Sequence, residues 1–254
     1  MTPKAKDTTT PEPEAGLIVP VDQGGFVVLA DEEAASLIAE IAPTPADLQK
    51  IVVPSGTSGA FFTVQALDGD RPEKELEVIV AWKSPTERSF YAAPIGECQS
   101  GPPHCSSPDG KMGYGMRDVD EILKHAGDFG PEDGSEMACA ECAWSQYGSS
   151  LEGKKGQACG QRIRMIVFDR EGIVPMVVQI PAASLKGLRQ FEMKLLNARK
   201  RVAQVVTRLT LAKQSGSPDY FTIEFEYVRD LEKGELARLA TFAESISEAV
   251  TVAR

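Results

Sequence analysis

The 254-residue chain has two histidines, His104 and His125, and no GxSxG, HExxH or GxxxxGK[ST] pattern anywhere along it. The motifs of a serine hydrolase, a zinc peptidase and a P-loop nucleotidase are therefore missing. The stretch GSSLEGKKGQACG, 148–160, comes nearest to a phosphate loop, but it lacks that pattern and no helix signal follows it. No obvious carboxylate pair stands out from ordinary acidic loops, so no enzymatic activity is expected. No run of about 18 uncharged apolar residues occurs, and the opening MTPKAKDTTTPEPEAG lacks the apolar centre of a secretory signal. These absences predict a cytoplasmic protein with no membrane partner. Cysteine is also scarce: five residues, an odd number, argue against a disulfide framework and leave metal ligation or free thiols.

What is present is an uneven distribution of charge. The net charge is −10, yet residues 154–213 hold 13 Lys and Arg against 3 Asp and Glu. Short charge runs are usually solvated faces. A sixty-residue basic block inside an acidic chain points instead to an anionic partner.

Along the chain, residues 1–15 lack any apolar period and read as a disordered tail. Residues 31–42, DEEAASLIAEIA, place Leu37, Ile38 and Ile41 on one helical face, and PTPADLQKIV continues that helix after a proline break. GAFFTVQALDGDRPEKELEVIVAWK holds two β-rich runs joined by a Gly-Asp-Pro loop, as in an antiparallel pair, with RSFYAA following; Phe61, Phe62 and Trp82 are core candidates. Residues 93–160 are irregular and contain every cysteine. Strands return at RIRMIVF and VPMVVQIP, followed by a helix capped by Ser184 with Leu185, Leu188, Phe191, Leu195 and Leu196 as its apolar stripe. AQVVTRLTLAK and DYFTIEFEY are strands, the second alternating Phe221, Ile223, Phe225 and Tyr227 with polar residues, and KGELARLATFAESISEAV is a final helix. Three strands, a helix and two more strands is the order of an OB-fold. The expected fold class is mainly β with α (α+β): an OB-like five-stranded barrel at 55–230 with an inserted zinc-binding subdomain at about 93–160. A helical or extended segment at 16–54 and a C-terminal helix at 231–254 flank it.

A loop of nearly seventy residues needs something to organise it. CAEC, Cys139 and Cys142, is a knuckle that supplies two metal ligands from one turn; Cys159 lies just downstream and GECQSGPPHCSSPDG offers Cys98, His104 and Cys105 upstream. Cys139 and Cys142 with Cys105 and Cys159 make a four-thiolate site, with Cys98 or His104 as substitutes. Four protein ligands leave no open position, so the zinc is structural. A redox pair would need the CxxC to open a helix after a strand, and AWSQYGSSLEGKKG is a poor helix.

Single-stranded nucleic acid is held by a cationic groove and by rings on which bases stack. Lys83, Arg88, Lys154, Lys155, Arg162, Arg164, Lys186 and Arg189 are the expected cations; Tyr91, Trp144 and Tyr147, set among polar residues, are the expected stacking rings.

CSSPDG, CAECAWSQYGSS, GKKGQACGQRIRMIV and IPAASLKGLRQF, in this order, resemble a family of uncharacterised proteins encoded by tailed phages and prophages, over roughly residues 55–227. The resemblance implies a zinc site of Cys105, Cys139, Cys142 and Cys159, with Cys98 outside it, and a location in the host cytoplasm. In architecture the chain is also similar to phage single-stranded DNA-binding proteins that carry a zinc subdomain in an OB-fold, though FAESISEAVTVAR lacks their strongly acidic tail. The resulting expectation is a sequence-tolerant single-stranded DNA-binding protein of phage replication or recombination, with replication or recombination proteins as further partners. A zinc-stabilised adaptor or inhibitor of host or phage machinery, and an RNA-binding protein, are the alternatives.

Overall fold

The computed structural model describes residues 47–54, 59–65, 69–91, 103–116, 130–131, 133–150, 156–170, 174–216 and 219–252, together with Ser36, Glu40 and Ile41. The expected tail at 1–15 lies outside them. Of the expected helix at 31–42, Ser36, Glu40 and Ile41 are described, and all three are helical.

Twelve strands form one sheet: β1 (Gln49–Val52), β2 (Phe62–Val64), β3 (Arg71–Glu73), β4 (Glu75–Lys83), β5 (Glu87–Phe90), β6 (Cys105–Ser107), β7 (Met112–Gly115), β8 (Glu136–Ala138), β9 (Gly160–Phe168), β10 (Met176–Pro181), β11 (Val205–Gln214) and β12 (Tyr220–Asp230). Two helices, α1 (Leu185–Asn197) and α2 (Lys233–Val252), pack against this sheet. The chain is thus mainly β with α, as the sequence predicts.

The sheet forks at β9. One edge of β9 pairs with β10, which leads through β1 and β2 to β3. The other edge is shared: residues 165–168 pair with β4, which leads to β11 and β12, and residues 160–162 pair with β5, which leads through β6 and β7 to β8. Ser84 stands where the branches part. Its N–H donates to the Arg164 carbonyl at 2.9 Å, and its Oγ accepts the Arg164 N–H at 2.9 Å, so the ladder is bridged ahead of Pro85, which has no N–H to give.

Side chains of the central strands alternate between two packed faces. Leu76, Val78, Val80, Ile163, Met165, Val178 and Ile180 face one core with Leu185 and Leu188 of α1, while Ile79, Ala81, Ile166, Phe168 and Val177 face a second with Leu239 and Phe242 of α2. Burial on both faces explains why ELEVIVAWK and RIRMIVF read as nearly continuous apolar runs.

Several expectations are corrected. The sheet is open and forked and does not close into a five-stranded barrel. Gln49–Val52 does not continue a helix but forms β1, parallel to β10, because Ile51 fills the first core. The two β-rich runs around the Gly-Asp-Pro loop do not pair with each other: β2 pairs with β1 and β3, and β4 with β9 and β11. Phe62 and Trp82 pack as expected, whereas Phe61 is 40% exposed. In α1 the buried stripe is Leu185, Leu188, Phe191 and Leu195, and Leu196 faces out. Ser184 gives no side-chain cap; its Oγ accepts the Ile223 N–H at 2.8 Å and so pins α1 to β12. Tyr227 keeps the register of Phe221, Ile223 and Phe225 but is 41% exposed, with Lys200 Nζ over its ring at 4.6 Å.

Candidate functional site

The branch β5–β6–β7–β8 carries the cysteines. Cys105 opens β6, Cys139 and Cys142 flank the turn after β8, and Cys159 immediately precedes β9. All four are buried, and none forms a disulfide. Backbone bonds bring their segments together: the Cys139 N–H donates to Lys111 at 2.7 Å, the Cys142 N–H to Ala138 at 3.2 Å, and the Cys159 N–H to Trp144 at 2.9 Å. Ser145 Oγ donates to the carbonyls of Cys139 and Cys142, and Gln146 Nε2 donates to Ala140 at 2.9 Å, which closes the knuckle.

The four sulfurs share one small interior. Burial pushes the Cys105 thiol up to about 12, and the charges that Cys159, Cys142 and Cys139 would carry add to the rise. Burial likewise raises Cys159 to about 11 against the pull of the Arg88 guanidinium. Gly113 on β7 makes room for them: a Cβ there would stand 2.9 Å from Cys105 Sγ and 3.7 Å from Cys139 Sγ. Four sulfur donors from a CxxC turn and two strand ends are the donor set of structural zinc. Among the described residues, no three His, Cys, Asp or Glu side chains stand in the arrangement that a bound ion requires. Of the substitutes, His104 is half-buried with its ring 6.0 Å from that of Phe90, and Cys98 lies outside the described residues.

Beside the sulfurs, Phe90 and Trp144 stack with centroids 4.0 Å apart, and Gly130 lies against the indole. The expectation of Trp144 as an exposed stacking ring is therefore wrong: it is 5% exposed and plugs the thiol-bearing branch. A 3-10 turn, Ala143–Ser145, turns the ring inward together with Ser145, whose hydroxyl is satisfied by the knuckle carbonyls, while Gln146 and Tyr147 beyond the turn are exposed. Tyr147, two residues beyond that turn, is 75% exposed, and Tyr91 is half-buried.

The expected cations and the other Lys and Arg of the basic block separate into two sets. Arg162 and Arg164 converge on the buried carboxylate of Glu87 at 3.5 and 2.7 Å, and Lys83 pairs with Glu192 of α1. Arg208 pairs with Glu77 at 2.8 Å and Lys200 with Asp230 at 2.8 Å. Lys186, Arg189, Lys194, Arg199 and Arg201 are exposed and make no salt bridge among the described residues. They belong to α1 and to the turn that ends it. Lys154 and Lys155 lie outside the described residues. The Glu87 and Glu192 partners were missed in the sequence because they sit on distant elements.

That helix ends in a Schellman pair, with Arg199 N–H donating to Leu196 at 2.8 Å and Lys200 N–H to Leu195 at 2.8 Å. The left-handed position, usually glycine, is Arg199 with φ 58°.

Comparison with protein-family models, with characterised proteins and with solved structures finds no match to this chain. No helix among the described residues is long and apolar enough to cross a membrane.

Proposed function

We propose that the chain binds single-stranded nucleic acid, DNA in preference to RNA, without catalysing a reaction, and that Cys105, Cys139, Cys142 and Cys159 hold one structural zinc ion. The observation that carries the nucleic-acid reading is the division among the cations. Six of the eleven described cations of the basic block, Arg162, Arg164, Arg170, Lys200, Arg208 and Lys213, pair with carboxylates, whereas α1 and its terminal turn keep the other five free of salt bridges among the described residues. Arg199 adds weight, since a left-handed non-glycine residue costs about 1–2 kcal/mol and such strain gathers at functional positions. Of the three rings expected to stack on bases, exposed Tyr147 and half-buried Tyr91 remain available. The reading needs no closed barrel; a rigid helix on an open sheet presents the cations. Such binding suits DNA replication or recombination.

The zinc reading is supported by the shared burial of four thiols from three separate segments and by the glycine that leaves space for them. Bound zinc supplies a crosslink between the start of β6, the knuckle after β8 and the start of β9.

Titration of oligo-dT over a salt series tests the nucleic-acid reading. With about four phosphates neutralised, log K falls against log salt with a slope of about −3. A flat dependence, or no binding at low salt, overturns it, and an oligo-U series compares RNA.

A second reading is favoured by one observation. Met193 and Leu196, 56% and 60% exposed, lie among the α1 cations and would suit an acidic protein with an apolar ridge. A partner retained after nuclease treatment would support this adaptor reading.

A further inference from the structure

Arg88 is a cation that the sequence assigns to the nucleic-acid surface and the fold turns toward the thiols. On the β5–β6 ladder Arg88 stands opposite Ser107 and Phe90 opposite Cys105, so Arg88, Phe90 and Cys105 share one face of the sheet. β5 also pairs with β9 there, Arg88 opposite Gln161 and Ser89 opposite Gly160, so the guanidinium lies by the Cys159 end of β9 and its charge pulls that thiol down against the rise that burial causes.

The tip of the β6–β7 hairpin closes over it. Gly110 has φ +71°, and a Cβ there would stand 2.5 Å from the Thr86 carbonyl oxygen and 3.8 Å from Arg88 Nε. Arg88 Nη1 is buried with no hydrogen-bond partner, and among the described residues Arg88 makes no salt bridge. Arg88 as a whole is half-buried, and a guanidinium nitrogen held out of water without a counter-charge is costly. Four neutral thiols do not balance it. Four thiolates around a divalent ion leave an excess of negative charge, which one adjacent guanidinium offsets.

We propose that Arg88 is the charge-compensating positioning residue of the zinc site, donating to the Cys159 thiolate and holding that sulfur toward the metal, and that it takes no part in nucleic-acid binding. This rests on the zinc reading of the same four cysteines. It explains why a long, flexible cation is held under a hairpin tip, where a nucleic-acid contact would need it free.

The test uses the full chain and zinc alone, with affinity read by competition against a chromophoric chelator. Metal analysis of the unaltered protein comes first: one zinc per chain supports the site, and none overturns the zinc reading and this inference together. Arg88→Gln, which keeps a donor and removes the charge, is expected to weaken zinc binding by about 10- to 100-fold, as loss of an outer partner of a metal ligand does. Arg88→Lys restores most of that loss. Oligo-dT affinity of zinc-loaded Arg88→Gln stays at the unaltered value. If one zinc binds to the unaltered protein and equally tightly to Arg88→Gln, this inference fails while the zinc reading stands. Should Arg88→Gln not fold, Arg88→Lys decides alone: near-normal affinity supports the role of charge, and a loss of about tenfold or more overturns it.

Discussion

Phe90 and Trp144 stack at 4.0 Å with planes 20° from parallel, and this one pair joins β5 to the turn that follows the CxxC knuckle. Among the described residues, the indole is the largest side chain of the thiol-bearing cluster, whose other fully buried members are Phe90 and cysteines, with Met137 and Ala158 packed against them. Trp144→Ala should therefore destabilise the protein by about 3–5 kcal/mol, the usual cost of emptying a large aromatic site. Urea unfolding measures it, with exposed Tyr147→Ala as a control expected to shift stability by less than about 0.5 kcal/mol. If oligonucleotide addition quenches Trp144 emission strongly, the assignment of this ring to the interior is wrong.

Replacing Cys142 by Ser removes one of the four sulfurs while leaving its volume nearly unchanged. The expected outcome is loss of bound zinc and faster amide exchange in β6, β7 and β8, with β9, β10 and β11 still protected, because the latter lie in cores of their own. Hydrogen exchange with metal analysis reads both. Gly113→Ala should have the same effect without touching a ligand, since its methyl would stand 2.9 Å from Cys105 Sγ.

Arg199 separates stability from binding. Glycine adopts φ 58° without strain, so Arg199→Gly should raise stability by about 1 kcal/mol. The same change removes an exposed cation and should lower oligo-dT affinity several-fold. A variant that is more stable and binds equally well would remove Arg199 from the proposed contact surface.

At the β6–β7 hairpin, Asp109 accepts N–H bonds from Lys111 at 2.8 Å and Met112 at 3.3 Å and a hydroxyl bond from Ser107 at 3.3 Å. The Lys111 N–H, first among these, holds the carboxyl below its ordinary value of 3.8. A carboxylate with a lowered folded pKa contributes stability that is present above the unfolded value and is lost as pH falls through the folded one. The Lys111 and Met112 amide resonances should thus titrate together below pH 3.8, and Asp109→Asn should abolish that step.

The strongest patterns in the sequence were those with a local cause. The apolar runs of β9 and β10, the stripe of Leu185, Leu188 and Phe191, and the final helix each follow from periodicity that a single element must satisfy. The candidate ligands were legible too, because a CxxC turn with further cysteines nearby shows in one dimension, but the expected irregular loop at 93–160 was not right, since its β6, β7 and β8 continue the sheet from β5 through pairings that leave no local pattern. Trp144 was not, since a ring among Ser, Gln and Gly can be turned inward by a 3-10 turn that leaves no periodic mark. Nor were the ion pairs: Glu87 is 77 residues from Arg164, and Glu192 is 109 from Lys83.

Composition and order alone determined that this is a mainly β chain with helices, that its cysteines crowd into one stretch, which the fold turns out to order as β6, β7 and β8 of the main sheet, and that its cations gather in one block. Periodicity, charge count and turn chemistry are local quantities, and the covalent chain carries them. Whether the strands closed or forked, which cations kept a carboxylate and which stayed free, and that Arg88 faced sulfur were decided only by tertiary structure. Those outcomes depend on which side chains become neighbours across the sheet, and burial and register, set by two cores packing at once, choose those neighbours.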